Sequence, residues 1–394
     1  VSGARSRTAV ISGIGSVAPL RQSGRTALDM IAEAVCAALR DADIDAARVG
    51  GVVTEASITP GMAKVADVAA ATGMSGLAMT ATSSPTGAGI LQAVGVAAAV
   101  VEAGVADHVV SFFGVDWGSR RSGANDYHAA MDAKSAIERP AGFAGPPLYF
   151  ATAIRRYAYT YGLRDDEVTD LLSAVAMAAR ANGRLHPTAQ QTKPLTRADY
   201  DGSPWIATPL RRADCCLLSD GAAAVVVSNA AAVSARGGLA AVRAWAWAQD
   251  EYDDASFYSQ SGLPELAAAR DASDRTFTKA GLKPQDIDVV ELYDCFTPAT
   301  VLQLESAGFC QPGQALGHVA DRALEVGGRH PVNTHGGLLA HGYLLGANHL
   351  VEAVEQIRHE AGQRQVSDAA LAFVGAGPGR QYTSLVLERQ ENRE

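Results

Sequence analysis

The chain runs one supersecondary pattern twice, and this repeat bounds its fold more tightly than any other feature. In the first half a helical run, "ALDMIAEAVCAALRDADID", leads into the apolar stretch "VGGVVTEA". In the second half "LAAARDASDRTFTKAGLKPQDID" leads into "VVELYD". Each is followed by a glycine-containing turn and a long Ala/Val/Leu helix, expected over Gly87–Ala103 and Gly342–Arg358. Each helix then leads to a strand ending in glycine, Phe112-Phe113-Gly114 and Phe373-Val374-Gly375. Further strands are expected at 8–16, 222–229 and 382–390. Strands alternating with helices specify an α/β protein, read here with mostly parallel sheets. Neither half can cover its own sheet faces, so the two are expected to pack together and share buried helices.

The halves are placed at 1–235 and 236–394. Residues 115–210 break the rhythm with Pro140, Pro146-Pro147, Pro187, Pro194, Pro204 and Pro209 around a helical stretch expected at 147–182. Such an insertion in a compact α/β protein reads as a binding loop or lid.

Composition excludes several function classes. A net charge of −9 argues against nucleic acid as a partner. No uninterrupted apolar run reaches the roughly 18 residues of a membrane span. Val10–Ile14 is too short and glycine-broken for a targeting core. The cysteines, Cys36, Cys215, Cys216, Cys295 and Cys310, are odd in number and lack metal-ligand spacing. They predict reduced thiols in a cytoplasm and no metal on the chain.

Three places can carry chemistry. Ser84-Pro85-Thr86-Gly87 runs directly into a helix, where a side chain meets backbone N–H groups and the positive end of the helix dipole. Ser83 or Ser84 serving as an ordinary helix N-cap explains the same pattern equally well. Tyr293-Asp294 stands at the carboxyl end of a strand, where open α/β sheets place ligands, although a packed aromatic is the commoner outcome there. The third stretch holds His335, His341 and Gly342-Tyr343. Leu344, Leu345, Leu350, Val351, Val354 and Ile357 recur behind Tyr343 at helical spacing and place it at or near a helix N-terminus.

The segments "RRYAYTYG", "SPWIATPLRRADCCLLSDGAAAVVV", "VELYDCF", "NTHGGLLAHGYLLGANHLVEAV" and "FVGAGPG" follow one another in an order that resembles the thiolase superfamily, in its sterol-carrier and lipid-transfer branch. The resemblance covers nearly the whole chain. It implies a thiolase-like fold of two similar βαβαβ halves packed as a five-layer αβαβα sandwich. The departures bear on function. The family's nucleophilic cysteine aligns with Ser84, and "LAFVGAGPG" holds no second cysteine. The histidine of the strand-end His-Asp-Cys-Phe becomes Tyr293, and that of Gly-His-Pro becomes Tyr343. Serine lacks the ready ionisation of a thiol, so covalent Claisen chemistry is not expected.

Tyrosine at both former histidine positions is similar to the steroid side-chain aldolases of this branch. That resemblance implies retro-aldol cleavage of a β-hydroxyacyl-CoA side chain from a steroid, giving a ketosteroid and propionyl-CoA. Tyr293 and Tyr343 are then the base/acid and oxyanion pair, with neither role assigned between them. A helix N-terminus would favour the phenolate, and burial would oppose it. Ser84, Asp294, His335, Gly375 and Gly377 are the expected substrate-binding residues. Arg155, Arg156, Arg184, Arg211 and Arg212 are candidates for the coenzyme A phosphates.

No cofactor is expected on this chain, with coenzyme A entering as the substrate thioester. The implied assembly is a homodimer. A small zinc-ribbon/OB-fold protein, or a hydratase domain carrying one, docks on it to give a heterotetramer, and zinc is expected only in that partner. Two competing readings are a non-catalytic acyl-CoA or lipid-binding scaffold and an acyltransferase using Ser84.

Overall fold

The computed structural model describes residues 7–55, 63–84, 87, 89–120, 140, 142–143, 145–233, 238–250, 263–377 and 379–390. The boundary expected at 235/236 lies outside these residues.

The first half runs β1 (Ala9–Leu20), α1 (Ala27–Asp41), β2 (Gly51–Glu55), α2 (Val65–Thr72), β3 (Met79–Ser83), α3 (Gly89–Glu102) and β4 (His108–Asp116). Then follow α4 (Trp117–Arg120), α5 (Pro146–Tyr161), α6 (Asp165–Gly183), α7 (Arg197–Asp201), the hairpin β5 (Trp205–Ala207) and β6 (Leu210–Arg211), and β7 (Asp220–Asn229). The second half runs β8 (Leu239–Gln249), α8 (Ala267–Ala280), β9 (Val289–Leu292), α9 (Thr297–Ser306), α10 (Ala315–Val319), α11 (Gly337–Ala340), α12 (Ala347–Arg358), β10 (Leu371–Ala376) and β11 (Gln381–Gln390).

The large sheet has the order β3-β2-β4-β7-β1-β8-β11-β10-β9. Its two halves meet at β1 and β8 through the pairs Val10↔Ala241 and Ile11↔Ala240. Outward from that seam the sequence of strands is the same on both sides: β1, β7, β4, β2 in one half and β8, β11, β10, β9 in the other. Even the edge is echoed. Where β2 pairs in parallel with β3, Val290 of β9 makes a parallel bridge to Val332.

The direction of the strands corrects the expectation of mostly parallel sheets. Only β3-β2-β4 and β9-β10 are parallel, and the strands between them alternate in direction. A strand buried on both faces is apolar along its whole length whichever way it runs, so composition carries no direction.

Alternate residues of β7 enter different cores. Ala222, Ala224 and Val226 join α1, whereas Ala223, Val225 and Val227 join α3. Period-two alternation therefore puts α1 and α3 on opposite faces. Helix α3 touches β2, β4 and β7 of its own half and β8 and β11 of the other; α12 likewise touches both halves. With α8 covering β8 and β11, the layers are helix, sheet, helix, sheet, helix. Close approach is built in by glycine: a Cβ at Gly13 or Gly15 of β1 would lie 2.1 or 2.2 Å from carbonyl oxygens of α1.

Other expectations shift locally. The helix read over 147–182 is two helices, α5 and α6, broken at Gly162 in the left-handed region (φ 70). Strands β3 and β8 lay outside the expected set; in "LAAVRAWAWAQ" the alternation is diluted by alanine, a helix former. The helix expected from Gly342 begins only at Ala347, because Leu345 (φ 48) and Gly346 (φ 87) turn the chain left-handed first. Tyr343 therefore sits in the turn between α11 and α12.

Candidate active site

The carboxyl end of β9 and the turn after α11 bring the two tyrosines together. The hydroxyls of Tyr293 and Tyr343 are 2.7 Å apart, and both residues are buried. The Tyr293 backbone is fixed on both sides. Its N–H donates to the Gly375 carbonyl (3.0 Å), and its carbonyl accepts from Gln303 Nε2 (2.7 Å). The Tyr343 N–H donates to Ser219 Oγ (2.9 Å), and its ring lies 5.4 Å from that of Trp117. Gly87 makes room for the Tyr293 phenol: a Cβ there would stand 3.1 Å from its Cζ.

Burial decides the ionisation of this pair. It pushes the Tyr293 phenol well above its ordinary value, with Tyr343 adding to the effect. It does the same to Tyr343, helped by Cys216 and Cys295, while the hydrogen bond with Tyr293 works the other way. Burial is the largest cause for both, so both phenols keep their protons at neutral pH. Two neutral O–H groups within hydrogen-bond reach of each other can donate to one oxyanion.

Asp294 and His335 lie beneath the pair. Asp294 is fully buried and caps α11, accepting from the N–H groups of Leu338 (2.7 Å) and Leu339 (3.4 Å). Its Oδ1 also takes the Nε2 proton of His349 (3.0 Å). His335 is 1% exposed, its Nδ1 facing Glu291 Oε2 at 3.1 Å and its Nε2 taking a proton from Asn348 Nδ2 (3.0 Å). Burial lowers the His335 pKa to about 4. His335 thus supports the turn that carries Tyr343.

Glu291, His335 and His349 offer potential ligand atoms within 4.8 Å of one another. Glu291 Oε2, His335 Nδ1 and His349 Nδ1 are buried without a hydrogen-bond partner among the described residues. With Asn348 on Nε2, His335 Nδ1 is left facing Glu291.

Gly375 gives its carbonyl to Tyr293, and a Cβ there would meet the Tyr382 hydroxyl at 2.1 Å. Gly377 adopts φ 101, which favours glycine. The Ser84 N–H donates to Gln92 Oε1 (2.8 Å), and its hydroxyl donates to Gln381 Oε1. Among the arginines, Arg155 pairs with Asp165 (2.7 Å) and Arg156 lies over Tyr159. Arg211 stacks on Trp205 with its Cζ 3.8 Å from the ring centre. Arg184 precedes the loop whose Gln190 donates to the His341 carbonyl.

Sequence reasoning passed over Trp117, Ser219, Gln303 and Glu55. Glu55 carried a signal: a carboxylate closing the buried strand "VGGVVTE", at the end where such sheets place ligands.

A duplicated five-layer α/β sandwich with this paired site is a thiolase-like protein, and residues 251–389 match the family described as thiolase C-terminal domain-like. The 17-hydroxy-3-oxo-4-pregnene-20-carboxyl-CoA lyase of Mycobacterium tuberculosis is 34% identical over 391 residues, 96% of this chain and 98% of that protein. The steroid side-chain-cleaving aldolase of Thermomonospora curvata is also 34% identical, over 96% of this chain and 97% of its own. The solved Ltp2-ChsH2(DUF35) aldolase is 32% identical with a TM-score of 0.88, covering 98% of this chain and 99% of that one. Human mitochondrial 3-ketoacyl-CoA thiolase, 14% identical with a TM-score of 0.68, shares the fold. The chain belongs to the thiolase-like family of steroid side-chain-cleaving aldolases.

Proposed function

We propose that this chain cleaves a β-hydroxyacyl-CoA side chain from a steroid by retro-aldol reaction, releasing a ketosteroid and propionyl-CoA. The observation that carries the reading is the 2.7 Å contact between the buried hydroxyls of Tyr293 and Tyr343. Both phenols act as donors to the thioester oxygen as it becomes an enolate oxyanion. The thioester is itself the electron sink, so the reaction asks for no nucleophile and no cofactor on this chain. A Ser84 acyltransferase is disfavoured because Tyr293 and Tyr343 stand where the family keeps its histidines. A scaffold role would leave the paired phenols without a task.

The proposed assembly is a homodimer carrying a small zinc-ribbon/OB-fold partner, or a hydratase domain that contains one. The two-part name of the Ltp2-ChsH2(DUF35) aldolase supports such a partner. The apolar residues of α3 are covered between the two sheet halves. The open edge strand β3, half-exposed along its length, is the better candidate for the dimer seam. No helix among the described residues is long and apolar enough to cross a membrane. The free thiols of the five cysteines support a reducing cytoplasm.

The test is incubation of the chain with a β-hydroxyacyl-CoA steroid, with and without the partner. Equal amounts of ketosteroid and propionyl-CoA are expected. Unchanged substrate in both incubations would rule the aldolase reading out, and an ester on Ser84 would replace it with acyl transfer.

A further inference from the structure

The internal repeat places an ionisable group at the first half's counterpart of Tyr293. Three contacts fix the match. The Gly50 N–H donates to the His108 carbonyl as Asp288 does to that of Leu371. Gly51 pairs with Val109 as Val289 pairs with Ala372. Val52 pairs with Thr80 as Val290 bridges Val332. Counting forward from any of these sets Glu55, the last residue of β2, against Tyr293, the residue that follows β9.

Glu55 is 7% exposed, and its Oε2 is buried without a hydrogen-bond partner. Burial raises its pKa well above the ordinary carboxylate range, with no opposing charge among the described residues. Gly89, the first residue of α3, makes the space, since a Cβ there would lie 2.5 Å from Glu55 Cγ and 2.7 Å from Cδ. Gly87 does the same for Tyr293. Carboxyl and phenol thus flank one turn, the one that carries the family's nucleophile position. Against β2 at this end, β3 presents Ser83 and α3 presents Gly89. Tyr343 is the titratable group across the site whose proton responds to Glu55.

The chemistry leaves a vacancy that such a group fills. Tyr293 and Tyr343 are held protonated, so a phenolate is scarce at neutral pH. A base and acid in one is best supplied by a buried carboxyl beside the paired phenols, its pKa raised by burial. We propose that Glu55 is the proton carrier of the retro-aldol, in addition to the two tyrosines. Its carboxylate takes the proton of the tertiary hydroxyl. The C–O bond becomes the ketone, and the C–C bonding pair moves into the thioester as an enolate held by the two phenols. The carboxylic acid then returns the proton to the α-carbon, and the enolate collapses to the propionyl thioester. One proton leaves oxygen and arrives on carbon, so no oxidant, reductant or metal is consumed. The assignment rests on the aldolase reading above.

The test compares Glu55→Gln and Glu55→Asp with the parent, full chain with its partner, on the β-hydroxyacyl-CoA steroid. Glu55→Gln is expected to lose about a hundred- to ten-thousandfold in turnover with binding retained. It should also lose the acidic limb of the pH–rate profile, which Glu55→Asp keeps at reduced height. Deuterium uptake into propionyl-CoA from D2O should fall in parallel, because that exchange is the last step reversed.

A second readout is independent of activity. A carboxyl whose folded pKa is raised lends stability that is full below about pH 4.5 and lost as pH rises towards the folded value. Glu55→Gln should therefore melt increasingly higher than the parent as pH climbs above about 5, levelling off where the carboxyl ionises in the folded protein. A flat difference would mean that the carboxyl is not isolated and would overturn the assignment. So would folded Glu55→Gln turning over within a few-fold of an active parent. An inactive parent, by contrast, would sink the aldolase reading itself.

Discussion

The end of β9 and the end of β2 are the same place in a duplicated fold, built in opposite ways. At β9 the polar groups around Tyr293 are tied. Its N–H, its carbonyl and its hydroxyl all have partners, and Asp294 next to it holds two N–H groups of α11 and a histidine. At β2 Glu55 ends the strand with a buried oxygen that nothing satisfies. The hydrogen bonds of Tyr293 and Asp294 fix their geometry, although Glu291 Oε2, Gln303 Oε1, His335 Nδ1 and His349 Nδ1 nearby lack hydrogen-bond partners among the described residues. Burial without a partner favours the protonated form of Glu55. The second half thus supplies preorganised donors, and the first half supplies the group that can titrate.

On the tied side the largest effects should come from breaking it at its tip. Tyr343→Phe and Tyr293→Phe keep ring packing and remove one donor each, which costs about a hundred- to a thousandfold in turnover. The phenols serve one oxyanion, so the double variant should be little worse than the weaker single. Substrate binding, carried by the steroid and the coenzyme A handle, should persist. Turnover and binding of melt-checked variants decide it: two folded single variants within a few-fold of the parent would refute the paired-donor mechanism.

A smaller effect is expected one layer down. Asp294→Ala strips the cap from α11 and leaves His349 without its acceptor. Orphaned buried donors cost about 1–3 kcal/mol each, so denaturant unfolding should show a loss of several kcal/mol at most. Turnover should fall about tenfold or more as the Tyr343 turn loosens, and the acidic limb of the pH–rate profile should stay in place. Gly337→Ala should act alike, since its Cβ would lie 2.0 Å from Asp294 Oδ2 at φ 63. A lost acidic limb in Asp294→Ala would move the titrating role from Glu55 to the tied side.

Much of this contrast could be read from the chain, and the rest was hidden for identifiable reasons. The repeat predicted two halves sharing helices, and α3 and α12 do lie between them. Tyr293 was legible from the strand-end rule, whereas Tyr343 became its partner only through family resemblance. Helical spacing ran on through Leu344 and Leu345 because periodicity is blind to the sign of φ, and the turn at Leu345 and Gly346 is made there. His335 was expected against substrate, yet it lies in the layer below, since histidine pattern says nothing of depth. Glu55 escaped because one acidic residue after an apolar run reads as a solvated strand end. Only the register of the distant repeat makes it the counterpart of Tyr293.

The smallest effect should come from the serine at the position where thiolases keep their nucleophile. Ser84 stands on the loosely tied side, its hydroxyl on Gln381 Oε1 and its N–H on Gln92 Oε1. Ser84→Ala removes the first contact and leaves the second, which belongs to the backbone. The stability cost should be that of one partly exposed hydrogen bond, about 0.5–1.5 kcal/mol. Turnover should stay within a few-fold of the parent, because a retro-aldol passes through no acyl-enzyme and the oxyanion is held from the other half. A loss beyond about a thousandfold, roughly 4 kcal/mol of barrier, with melting unchanged, would return the chemistry to Ser84 and reverse the division of labour between the two strand ends.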